Sequence, residues 1–231
     1  MKQLFIVPTP IGNLEDMTYR AVSVLNKVDF ILAEDTRVSG KLLKHYNIST
    51  PMLAHHQHNE HKYTNSLVDR MQNGETFALI SDAGTPGISD PGYLLVRACY
   101  QNNLEVSCLP GATALIPAIV QSGIPSDRFV FEGFLPVKKG RQKKLATLAQ
   151  EDRTIVLYES PYRILKTLND LAMHLGENRI VSLSREISKK FEATFTDQIK
   201  TAVAFYTENQ PKGEFVIVIE GKSSKLNLGN T

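Results

Sequence analysis

The chain has 231 residues, 42% of them hydrophobic, and its 26 Lys and Arg nearly balance 24 Asp and Glu, leaving a formal net charge of +2. It is long enough to bury a core in one or, better, two small domains, and so small a net charge excludes whole-surface attraction as the basis of nucleic-acid binding, which would have to come from local basic patches. No run approaches the roughly 20 apolar residues of a membrane span, and the short apolar run before Pro8 does not make a secretory signal, so a cytoplasmic location is expected.

Residues 4–7 form a short apolar run that reads as a buried strand. It leads into Pro8-Thr9-Pro10-Ile11-Gly12-Asn13-Leu14, where a dinucleotide-binding fold would place Gly-x-Gly-x-x-Gly. Two prolines remove two backbone donors, so this loop is a poor phosphate cradle and matches neither that motif nor a Walker loop. A helix is expected over 17–28 and a strand over 30–33, ended by Glu34-Asp35-Thr36-Arg37. Two acids and a base there could hold or activate a substrate hydroxyl; equally, Asp35 or Thr36 could cap the next helix beside a surface ion pair. Helical spacing follows at 41–46 and 63–71. Between them His55, His56, His58 and His61 have the spacing of neither His-Glu-x-x-His nor a zinc finger, so no metal is expected.

The strand predicted at 77–80 opens the densest glycine and proline cluster, Ser81-Asp82-Ala83-Gly84-Thr85-Pro86-Gly87-Ile88-Ser89-Asp90-Pro91-Gly92. Its glycines let backbone approach a ligand, its prolines stiffen the loop, and Asp82 can accept hydrogen bonds from an amine or a ribose hydroxyl. A plain connection needs only about 2 to 6 residues. A helix at 93–99 and a strand at 106–109 follow, then the tight Leu109-Pro110-Gly111-Ala112-Thr113-Ala114 turn, which taken singly is as readily just a turn. Cys99 and Cys108 lie in or beside apolar runs and are expected to be buried free thiols.

Residues 132–144 carry two glycines, a proline and five basic residues. A domain boundary is placed there: an N-terminal α/β domain at 1–132, a linker at 133–140, a C-terminal α/β domain at 141–222 and a polar tail at 223–231, with fraying expected from Lys222 onward. Strands at 155–158, 180–183 and 215–219 repeat the earlier pattern, and the helix at 161–175 is marked by the stripe Ile164, Leu165, Leu168, Leu171, Ala172 and Leu175. Alternating strands and helices argue for mostly parallel sheets covered on both faces. Lys138, Lys139, Arg141, Lys143 and Lys144 read either as a solvated charge run or as a patch that neutralises RNA phosphates.

Taken in order, these segments, together with His58-Asn59-Glu60, Phe131-Glu132-Gly133-Phe134-Leu135-Pro136, Tyr158-Glu159-Ser160-Pro161, Ser184-Arg185-Glu186 and Lys212-Gly213-Glu214-Phe215, cover nearly the whole chain. The ordered set resembles the small-subunit ribosomal RNA ribose 2′-O-methyltransferase I proteins of the tetrapyrrole methylase superfamily. The resemblance implies an α/β, class III methyltransferase fold of two domains, each a mixed sheet flanked by helices. It further implies S-adenosylmethionine in the cleft between them and a homodimer. By motif position, cofactor contacts are expected from Ile11, Asp82, Ala83, Gly84, Thr85, Ala112, Thr113, Tyr158 and Glu214. The implied substrate is a cytidine ribose in the decoding region of small-subunit RNA, free or in the assembled particle. Methyl transfer from a sulfonium needs no metal but does need the hydroxyl deprotonated. Glu34, Asp35 and Glu159 are the acids to test for that step, with Arg37, Arg185 and Lys189 to orient phosphate or polarise the oxygen. The competing readings are a tetrapyrrole-precursor methyltransferase, a non-catalytic RNA-binding assembly factor and, more remotely, a metal hydrolase built on the histidines.

Overall fold

Short, continuously apolar strands joined by helices build the first of two units, Met1–Thr113, and a different strand pattern builds the second, Ala114–Thr231. The computed structural model describes residues 3–57 and 59–224. In the first unit the elements are β1 (Leu4–Ile6), α1 (Tyr19–Lys27), β2 (Phe30–Ala33), α2 (Thr36–His45), β3 (Met52–Ala54), α3 (Glu60–Gln72), β4 (Phe77–Ile80), α4 (Tyr93–Gln101) and β5 (Val106–Cys108). The sheet runs β3-β2-β4-β1-β5, and every strand pair is parallel.

Parallel neighbours require helical crossovers over the faces, which buries both sides of the sheet. Successive strand residues accordingly enter different clusters. Leu4, Ile6, Phe77 and Leu79 pack with Leu67, Met71, Leu95 and Cys99 of α3 and α4, whereas Val7, Ile31, Ala78 and Ile80 pack with Ala21, Leu25 and Leu43 of α1 and α2. Side-chain oxygens start two of these helices: Thr18 accepts from the Ala21 N–H at 3.0 Å, and Asp35 accepts from the Arg37 N–H at 2.8 Å.

The second unit comprises α5 (Leu115–Gln121), β6 (Phe129–Phe134), α6 (Arg141–Leu148), β7 (Thr154–Glu159), α7 (Ile164–Leu175), β8 (Ile180–Arg185), β9 (Ala193–Gln198), α8 (Ile199–Glu208) and β10 (Phe215–Ile219). Its order is β6-β7-β10-β8-β9, and only β6 with β7 is parallel. The expected parallel pattern thus holds in the first sheet and gives way in the second. Residues 186–192 are too few for a crossover, and Glu186 and Ser188, at φ 54° and 64°, turn the chain directly back into an antiparallel partner. Helices α6, α7 and α8 cover one face, where Ile164, Leu168, Leu171 and Leu175 of the predicted stripe are buried and Leu165 and Ala172 pack beside them. On this sheet α5 packs against β10, and Gln121 donates to the Ser184 hydroxyl at 2.8 Å.

The expected boundary at 133–140 is corrected: it lies inside the second unit, which begins at Ala114. Its first residues belong to β6, where the register shifts between Phe131 and Gly133. A bulged edge strand breaks the apolar alternation and mimics a linker in sequence. Fraying from Lys222 is corrected over 222–224, since the Lys222 N–H donates to the Glu151 carbonyl at 2.7 Å and the Ser223 hydroxyl to Asp152 at 2.6 Å. The rest of the expected tail, 225–231, lies outside the described residues. Cys99 is buried as expected, but Cys108 is exposed, and both are free thiols. Among the described residues no helix is long and apolar enough to cross a membrane.

Candidate functional site

Four loops leave the carboxyl ends of β2, β4, β1 and β5, which are lateral neighbours in that order. Open parallel sheets place ligand loops at this edge. The loop after β1 is stitched to the one after β4 by a two-way bridge, with the Thr9 N–H donating to the Gly84 carbonyl and the Gly84 N–H to the Thr9 carbonyl, both at 2.9 Å. The buried Thr9 hydroxyl adds a bond to the Ser81 carbonyl at 3.0 Å. The loop after β4 reaches the one after β5 through the Thr85 hydroxyl, which donates to the Ala112 carbonyl at 3.2 Å. Gly111 lies so close to Pro8 that a Cβ there would stand 2.6 Å from the proline ring, and Gly84, at φ 80°, faces Ile11. Ile11, Gly84, Thr85 and Ala112 are therefore brought together. Ala83 is exposed in the same loop, and Thr113 ends the unit.

Acidic groups gather beside this framework. The Asp35 N–H donates to Asp82 at 3.2 Å, and the Asp82 N–H donates to Glu34 at 3.4 Å. Burial, with Glu34 and Asp82 nearby, pushes the Asp90 carboxyl up to about 6. Asp90 was not singled out by the sequence reading. It stood in the quoted loop, but nothing in linear order shows that it will face two other acids. Asp35 occupies the capping position open to it. It caps α2 and forms a two-point pair with the Arg37 guanidinium, at 3.1 and 2.6 Å, that holds its carboxyl well below the usual range. Next to these acids lies a pocket of about 280 Å³ lined by Pro10, Gly12, Leu14, Val38, Ser39, Lys41, Leu42, Ser81 and Asp82.

In the second unit, Glu159 at the end of β7 and Arg185 at the end of β8 both pair in register with Phe215 at the start of β10. Glu159 is only 2% exposed. One oxygen accepts from the Thr167 hydroxyl at 2.6 Å, while the other accepts from the Ser160 N–H at 2.9 Å and pairs with Arg163 at 3.3 Å. Enclosed and hydrogen-bonded through both oxygens, it is a strut between β7 and α7. Lys189 bridges Glu186 and Glu214 at 2.9 and 3.0 Å. Tyr158 makes edge contacts with the rings of Phe131 and Phe134.

Arg141 does not belong to a surface patch. It is 3% exposed and donates to Asp170 at 2.7 Å, to the Thr167 hydroxyl at 2.9 Å and to the Pro136 carbonyl at 3.1 Å. Its place in the basic run concealed this, because the first residue of α6 faces α7. Lys138, Lys139 and Lys143 are exposed, and Lys144 is paired with Glu132. Of the histidines, His58 lies outside the described residues. His55 is 1% exposed with its Nε2 3.9 Å from Glu60, and burial lowers its pKa.

Two α/β units, one with an acid-lined set of glycine-bearing loops at its parallel strand ends, define an α/β protein with a ligand-binding edge on its first sheet. The model of the Tetrapyrrole (Corrin/Porphyrin) Methylases matches residues 3–203. A ribosomal RNA small subunit methyltransferase I of Synechocystis sp. is 55% identical over 94% of this chain and 78% of its own length. One of Thermotoga maritima is 43% identical over 96% of this chain and 100% of its own. Among solved structures, a uroporphyrin-III C-methyltransferase from Thermus thermophilus complexed with S-adenyl homocysteine shares the fold, with a TM-score of 0.63 and 16% identity over 94% of this chain and 96% of that one. The chain belongs to the tetrapyrrole methylase family and, within it, groups with the ribosomal RNA small subunit methyltransferase I proteins.

Proposed function

We propose that this protein uses S-adenosylmethionine to methylate the 2′-hydroxyl of a cytidine ribose in the decoding region of small-subunit ribosomal RNA. The observation that carries the reading is the stitched set of loops after β1, β4 and β5, with Glu34, Asp82 and Asp90 beside it. A donor bearing a sulfonium and an ammonium suits carboxylate surroundings, and the open glycine backbone at Gly87 suits close approach by its adenosine part. The sulfonium supplies an activated methyl group, so the chain's own tasks are to fix the acceptor oxygen in line and to receive its proton. The names of the relatives support small-subunit RNA over a tetrapyrrole, because the likeness to tetrapyrrole enzymes such as that of Thermus thermophilus is far lower in sequence.

Ile11, Asp82, Ala83, Gly84, Thr85, Ala112 and Thr113 are the proposed cofactor residues of the first unit. Tyr158 and Glu214 are proposed from the family resemblance alone. With Asp35 committed to Arg37 and Glu159 enclosed, Glu34 and Asp90 are the carboxylates proposed to take the ribose proton. Arg37, Arg185 and Lys189 remain proposed for phosphate or the developing oxyanion, and Lys138, Lys139, Lys143 and Lys144 for RNA binding. A homodimer and a cytoplasmic location belong to the same reading.

The test is transfer of tritiated methyl groups from the cofactor to free small-subunit RNA, to assembled small subunits and to a tetrapyrrole precursor. Label is expected in one cytidine of the RNA, resistant to alkali as a 2′-O-methyl group must be. Label in the tetrapyrrole alone, or in none of the three, would overturn the reading. In single-turnover transfer, Glu34→Gln or Asp90→Asn should slow the rate at least 100-fold while S-adenosylhomocysteine still binds, an effect within the usual range for loss of a general base.

A further inference from the structure

The loop over 81–92 is held near its start by groups of the site already described and at its far end by a group outside that site. Near its start are the bridge between Gly84 and Thr9 and the bond from Thr85 to Ala112. At its far end the holding group comes from α3. Glu60 is 6% exposed, and one of its carboxylate oxygens accepts from the Gly92 N–H at 3.0 Å and from the Leu94 N–H at 3.2 Å. These are N–H groups at the start of α4, which lack intrahelical partners. Gly92 lies close against the sheet in a conformation that favours glycine, since at φ 137° a Cβ would lie 2.8 Å from Leu79 of the β4 core. Beside the carboxylate stands the buried His55, with neither ring nitrogen hydrogen-bonded among the described residues. The loop end is thus trapped between a buried acceptor and the sheet.

We propose that Glu60 is a positioning residue for methyl transfer: by accepting from Gly92 and Leu94 it fixes the far end of the 81–92 loop, and with it Asp90, in the shape that binds the cofactor. The inference rests on the proposed use of that loop for S-adenosylmethionine. The acceptor oxygen matters here and not the charge, because both bonds end on a single oxygen, which glutamine also possesses.

The experiment compares the unaltered protein with Glu60→Gln, Glu60→Ala and Glu60→Asp. It reads S-adenosylhomocysteine affinity by titration calorimetry and amide exchange over 88–94 by mass spectrometry. Glu60→Gln should bind within about threefold of the unaltered protein. Glu60→Ala should bind about tenfold more weakly and Glu60→Asp, whose carboxylate is one methylene short, five- to tenfold more weakly, both with faster exchange at 88–94. Exchange in the middle of α3 should stay unchanged, which a general loss of stability would not allow. Should Glu60→Ala fail to fold, Glu60→Asp against Glu60→Gln decides the matter alone. Equal affinity of Glu60→Asp and the unaltered protein, or equal loss in Glu60→Gln and Glu60→Asp, overturns the role given to Glu60. Absence of binding by the unaltered protein overturns the cofactor reading itself, so the two failures are distinguishable.

Discussion

Asp90 and His55 respond to acid in opposite senses. Burial, aided by Glu34 and Asp82, raises Asp90 to about 6 from 3.8, so the folded state holds this proton more tightly than the unfolded chain does. The resulting stability is fully present below pH 3.8 and is lost as pH rises through about 6. Burial lowers His55 from 6.5, so its contribution is full above that value and is lost as pH falls. Asp90→Asn should therefore be more stable than the unaltered protein at neutral to mildly alkaline pH, by less than the full shift implies because solvent screens this half-buried carboxyl, with the gain shrinking in acid. His55→Leu should gain relative to the unaltered protein as the pH is lowered. Thermal melts of both variants from acid to mildly alkaline pH check the pair, and parallel curves for the two would refute the assignment.

At the scale of elements, Arg141 joins three segments. It links the carbonyl of Pro136, before α6, to Thr167 and Asp170 of α7, and Thr167 passes the connection on to Glu159 at the end of β7. Breaking a buried ion pair from one side typically costs about 3–5 kcal/mol. Arg141→Ala should fall in that range by denaturant unfolding and leave the salt dependence of RNA affinity unchanged. Replacing Lys138, Lys139 and Lys143 with alanine should do the reverse. Stability should stay within about 0.5 kcal/mol, while the slope of log affinity against log salt should shrink by about 2, at roughly 0.7 per phosphate contact on single-stranded RNA. A slope that responds to Arg141 and ignores the lysines would reverse these assignments.

At the scale of the molecule, each unit encloses its own core, so ligand effects on the two can be read separately by hydrogen exchange resolved by segment. S-adenosylhomocysteine at about 100 times its Kd stabilises the binding state by about 2.7 kcal/mol. Exchange at 81–92 and 109–113 should slow by up to about 100-fold, and exchange at 157–159 and 212–215 should slow with it if Tyr158 and Glu214 hold the ligand. Protection confined to the first unit would remove those two residues from the binding set.

The parts of this protein that were legible in its sequence are those fixed by local chemistry. A run such as Phe77 to Ile80 is apolar on both faces and has to be a buried strand, the α7 stripe repeats at helical spacing, and a loop as rich in glycine and proline as 81–92 must bend and stiffen at its own residues. Of the edge strands, β5 was legible, but β3, β6 and β9 escaped because strands not fully buried on both faces need no continuous apolar run. Side-chain environment was not legible either. The same basic run holds an exposed Lys139 and a buried Arg141, and the same acidic pattern gives a capping Asp35, an enclosed Glu159 and a half-buried Asp90. Order along the chain determines which groups are available and roughly where each loop begins. Only packing decides which of them meet, because burial and pairing depend on neighbours that are distant in sequence.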